Sequence, residues 1–118
     1  MDAELKRVHS PDVGDLKNYR PENSEKFAFL LQVMVGPKGK GVEESFDVEV
    51  CTPKWLEATY GLPDVVIGRH HLIVKEYDYE RIIRAIKDFL QLCSGENWNE
   101  VAGKVARLGK WEFEDYVE

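Results

Sequence analysis

The sequence predicts an α+β domain in which an antiparallel β-sheet carries two or three helices packed mainly on one face. Three observations predict it. Two apolar-rich runs, residues 26–35 and 42–51, flank Gly36-Pro37-Lys38-Gly39-Lys40-Gly41 and read as a β-hairpin, because glycine supplies the positive-φ conformations that a tight connection needs. Tyr79, Ile82, Ile83, Ile86, Phe89, Leu90 and Cys93 recur at i, i+3, i+4 and i+7, the stripe of an amphipathic helix. The remaining strand-sized segments are joined by hairpins or separated by helices, without the regular alternation of a parallel βαβ array.

Taken in order, residues 3–9 read as a first strand, and residues 10–24, with Pro11, Gly14, Pro21 and several Asx residues, as a long irregular and mobile connection. In the hairpin, setting Val35 opposite Val42 brings Leu31 to Phe46, Phe29 to Val48 and Phe27 to Val50, which gathers large apolar side chains on one face. The other face then carries Ala28, Leu30, Gln32 and Met34 beside Glu43, Ser45, Asp47 and Glu49. Such alternation is what any solvated sheet face shows. Leu30 and Met34 are what mark this one as a candidate binding surface.

Thr52-Pro53 opens a short helix over residues 54–60: the hydroxyl caps free amides, proline suits the first turn, and Gly61 stops it. Residues 66–75 read as a strand with Leu72 and Val74 on one face and Arg69, His71, Ile73 and Lys75 on the other, a basic neighbour for the acidic strands. Asp78 caps the long helix and Gly95 ends it. Asn97 with Glu100 forms a capping box for a last helix with Trp98, Val101, Ala102, Val105 and Leu108 inside, closed by Gly109. Residues 110–116 alternate aromatic with acidic side chains as a half-buried final strand would.

A chain of 118 residues fits one domain, residues 1–118, with 43% hydrophobic and 11% aromatic residues to build its core. No apolar run approaches the roughly 18–20 residues of a membrane span, and the acidic N-terminus carries no export signal, so a cytoplasmic location is expected. Sixteen basic against twenty-two acidic residues give a formal charge of −6. That sign disfavours nucleic acid as a ligand and favours fast encounter with a basic partner, although charge for solubility alone gives the same number.

Chemistry finds little support. The glycines of the turn lie between antiparallel strands and Lys40 is not followed by Ser or Thr, so no phosphate loop is formed. His70 and His71 are neighbours on an expected strand and point apart, so they cannot act on one atom. Cys51 and Cys93 fall on expected core positions as reduced packing residues, and their spacing with His9, His70 and His71 does not make a zinc site. No catalytic residue, cofactor or metal is therefore expected. Trp55, Trp98 and Trp111 are most simply core fillers, unless exposed.

The segments together resemble the immunity protein 8 family of bacterial polymorphic-toxin and contact-dependent inhibition systems. The likeness is carried by Ala3-Glu4-Leu5-Lys6-Arg7-Val8-His9-Ser10-Pro11-Asp12, by Leu31-Gln32-Val33-Met34-Val35-Gly36-Pro37, by Glu44-Ser45-Phe46-Asp47-Val48, by Cys51-Thr52-Pro53-Lys54-Trp55-Leu56, by Gly68-Arg69-His70-His71-Leu72-Ile73-Val74 and by Gly109-Lys110-Trp111-Glu112-Phe113. Their order along one short chain, rather than any one stretch, makes the match. The resemblance implies an immunity protein that binds the C-terminal effector domain of a cognate toxin, with no catalytic residues to carry over. Many such toxins are nucleases with a basic groove. Glu43, Glu44, Asp47 and Glu49, with Glu112, Glu114 and Asp115, are then the candidate toxin-binding carboxylates. A small enzyme using His70 or His71, or a ligand-binding adaptor, is the alternative.

Overall fold

The computed structural model describes residues 1–61 and 65–114. Its elements are β1 (Ala3–His9), β2 (Ala28–Pro37), β3 (Glu44–Cys51), α1 (Pro53–Tyr60), β4 (His71–Ile73), α2 (Tyr79–Leu90), α3 (Trp98–Val105) and β5 (Lys110–Trp111). They form an open α+β fold around a mixed five-stranded sheet in the order β1-β2-β3-β4, with β5 also paired to β3.

The hairpin is present with the expected inner face but a different register. Phe29 lies opposite Val50, Leu31 opposite Val48 and Val33 opposite Phe46, two residues away from the pairing that the Val35–Val42 match predicts. The reason is the connection. Strand β2 runs on to Pro37, while the backbone carbonyl of Val42 folds over Gly36 so closely that a Cβ there would lie 1.9 Å from it. Because the slip is by two, every side chain keeps its face. Phe29, Leu31, Val33, Val35, Phe46, Val48 and Val50 are buried on the side that receives Ile82, Ile86 and Leu90 of α2 and Val101, Ala102 and Val105 of α3. Full burial of such a side chain contributes about 1.5–3 kcal/mol.

The caps follow the expected chemistry with additions. Thr52 Oγ1 accepts the Trp55 amide at 3.2 Å and the Phe27 amide at 3.3 Å, so one wholly buried hydroxyl starts α1 and anchors the approach to β2. Asn97 Oδ1 accepts the Glu100 amide at 3.0 Å, but the Glu100 carboxylate reaches past the cap residue to the Glu96 amide at 2.9 Å. Helix α1 buries no residue and stands at the periphery, whereas α2 and α3 cover the sheet.

Three expectations are corrected. The strand expected over residues 66–75 is three residues long and runs parallel to β3, so the sheet is mixed, with antiparallel pairs elsewhere. The final strand is two residues long, because residues 112–114 turn away; the end of the expected segment, with Asp115 and Tyr116, lies outside the described residues. The connection after β1 is irregular as expected but anchored. Ser10 Oγ accepts the amides of Asp12 and Val13, Val13 is buried, and Tyr19 packs edge-on against Phe29 and Tyr77, whose hydroxyl donates to the Leu16 carbonyl.

Candidate functional site

The helices leave the other sheet face open. Strand register sets its rows: Arg7, Met34 and Ser45; His9, Gln32, Asp47 and Lys110; Leu30, Glu49 and His71. Arg7 reaches this face through an irregularity at Lys6, which lets Leu5 and Val8 both point inward.

The carboxylates named from the sequence separate into three groups. Glu43 is ion-paired with Arg7 at 2.8 Å, Glu49 lies 3.5 Å from the His71 ring and Glu114 pairs with Arg69. Of the basic neighbour expected for the acidic strands, His71 reaches a strand carboxylate, Glu49, whereas Arg69 pairs with Glu114 in the turn after β5. Glu44 instead belongs to the helix side: its two oxygens accept the indole N–H groups of Trp98 at 2.6 Å and Trp111 at 2.5 Å. It joins β3, α3 and β5, and it gives Trp98 and Trp111 a polar duty beyond filling space. Trp111 also stacks on Phe46, ring centroids 6.3 Å apart.

Asp47 and Glu112 form the third group and have no cationic partner within 4 Å among the described residues. Ser45 stands between them. Its hydroxyl donates to Asp47 Oδ1 at 2.9 Å and its amide to Glu112 Oε1 at 3.1 Å, while the Glu112 amide donates to the Ser45 carbonyl. Asp47, which stands opposite Lys110 across the β3–β5 pair, and Glu112 are thus both tied to Ser45 where β5 meets β3, and Glu112 is exposed.

His70 and His71 diverge as expected. His70 sits at φ 66°, a left-handed conformation uncommon for a side-chain-bearing residue, and its Nε2 lies 2.9 Å from the Ala106 carbonyl, which makes that nitrogen the donor. His71 turns toward Glu49, and its buried Nδ1 has no hydrogen-bond partner among the described residues. Both cysteines are free and buried. Burial pushes the Cys51 thiol up to about 11 and raises that of Cys93, the opposite of what activates a nucleophile. Among the described residues no cluster of three or more His, Cys, Asp or Glu is placed to hold a metal, and no helix is long and apolar enough to cross a membrane.

Sequence reasoning missed one feature. Val65 is 94% and Ile67 84% exposed in the approach to β4, Ile67 within the strand expected over residues 66–75 and Val65 just before it. Gly68, between them and β4, was the available signal that pairing begins later.

The open sheet face and its β3–β5 edge thus carry carboxylates held by ion pairs and by hydrogen bonds to the chain. The sequence matches the model of the family described as "Immunity protein 8" over residues 3–116, and the chain belongs to that family. A toxin-neutralising immunity role and a cognate toxin as protein partner follow from that membership, in a family that is generally non-enzymatic. No curated protein and no solved structure matches the chain significantly.

Proposed function

We propose that the chain acts in the bacterial cytoplasm by binding the C-terminal effector domain of a toxin encoded beside it, and that it neutralises this domain by contact alone. Family membership over nearly the whole chain is the observation that carries the reading. The surface supports it: a net charge of −6 suits a basic target such as a nuclease groove, and Asp47 and Glu112 are the named carboxylates that form no ion pair within 4 Å among the described residues. Glu43 and Glu49 extend that surface across the open face, already engaged by Arg7 and His71. Glu44 contributes by holding Trp98 and Trp111.

The test is co-expression of the C-terminal domain encoded immediately upstream, with and without this chain. Growth rescue and a stoichiometric complex are expected. Asp47→Lys with Glu112→Lys should then weaken the complex by tenfold or more, which is about 1.4 kcal/mol, and flatten its salt dependence. Unchanged affinity and salt slope would remove these carboxylates from the interface.

A further inference from the structure

Scattered exposed apolar residues are ordinary on a protein surface, but clusters are not. Of the nine large apolar side chains exposed among the described residues, five fall between Tyr60 and Ile73: Tyr60, Val65, Val66, Ile67 and Ile73. Val65 and Ile67 give almost their whole side chains to water, more than any of the others. Nothing in local structure requires valine and isoleucine there, since residues 65–68 form neither strand nor helix.

The exit of this segment is fixed by three consecutive residues. The Arg69 guanidinium pairs with Glu114, His70 Nε2 donates to the Ala106 carbonyl, and the His70 carbonyl accepts the Glu49 amide at 2.9 Å where His71 enters β4. The segment is thereby latched to the turn at residues 112–114. That turn carries the exposed Glu112, linked through Ser45 to Asp47, and Phe113, which is 44% exposed. An apolar projection latched to a turn that carries an exposed carboxylate combines the two ingredients of an interface, an apolar anchor and a charged rim.

We infer that Val65 and Ile67 are the apolar anchor of the toxin interface, entering a hydrophobic recess on the toxin domain that is bordered by basic residues facing Asp47 and Glu112. This rests on the proposed toxin-binding function and specifies the surface and the partner chemistry that it uses. A second copy of this chain is a poorer occupant, because each copy carries a formal net charge of −6 and two such surfaces repel.

The experiment measures binding of the upstream-encoded C-terminal domain to the full chain, to Val65→Ser/Ile67→Ser, and to Leu92→Ser, whose side chain is 75% exposed just beyond α2. The double variant should lose at least tenfold in affinity, mainly through faster dissociation, with thermal stability unchanged because both side chains are already in water. Leu92→Ser should stay within twofold. Wild-type binding by a folded double variant would overturn the anchor while leaving toxin neutralisation intact. If the wild-type chain itself neither binds nor rescues, both fall. Light scattering supplies the remaining arm: a wild-type dimer that the double substitution dissociates, with toxin affinity retained, would assign the patch to self-association and overturn the inference.

Discussion

In the β2–β3 hairpin, seven apolar side chains from Phe29 to Val50 are buried against α2 and α3, whereas the far edge of β3 pairs only with the short strands β4 and β5, whose surroundings are fixed by polar contacts: Glu44 to two indoles, Arg69 to Glu114, His70 to a helix-end carbonyl and His71 to Glu49. The difference separates two tasks. Burial is non-directional and makes a scaffold whose strength is spread over many atoms. Hydrogen bonds are directional, and each one sets where a short segment lies. Strands of three and two residues have too little ladder to place themselves, and it is there that the chain presents Glu112, Val65 and Ile67.

If that contrast is right, the largest loss comes from the hairpin. Phe46 is wholly buried and stacked on Trp111, so Phe46→Ala should cost about 3–5 kcal/mol in urea denaturation. A cost below about 1 kcal/mol, the range of ordinary surface changes, would mean that the core is not where stability resides.

A middle-sized effect is expected at the edge. Glu44→Gln keeps the shape but leaves one acceptor oxygen for two indole donors, which should cost about 1–3 kcal/mol and shift tryptophan emission. Unchanged emission and stability together would show that the two indoles do not depend on that carboxylate.

The smallest effect is invisible at neutral pH. Burial raises the Cys51 thiol from its ordinary 9 to about 11, and Cys93 shifts the same way. A raised folded-state value means that the native protein holds its proton longer than the unfolded chain, so this contribution is complete below about pH 9 and is lost as pH rises toward 11. The denaturation midpoint should be level from neutrality to about pH 8.5 and then fall; a midpoint that climbs across that window would contradict the burial of these thiols.

The elements were legible wherever a local rule was sufficient. The period of Ile82, Ile86 and Leu90, the hydroxyl of Thr52 before Pro53, and Asn97 before Glu100 state their structure within one or two turns of chain. The candidate site was legible in part. The acids were visible, but which of them gain an internal partner depended on Arg7, Arg69 and His71 arriving from distant segments. Strand alternation already set Glu44 off the face that carries Glu43 and Glu49, but only the meeting of α3 and β5 above it shows that its carboxylate positions two tryptophans.

By itself, then, the sequence determined the α+β class, the inner and outer faces of the hairpin, the helix caps and the family, because periodicity, capping and the order of short segments are properties of neighbours along the chain. Tertiary structure decided the hairpin register, the parallel entry of β4, the division of the acids into those paired with Arg or His, the one clamped between two indoles and those held by Ser45, and the exposure of Val65 and Ile67. Each of these is a competition among segments dozens of residues apart, and its outcome is set by which partner arrives, not by what the segment prefers.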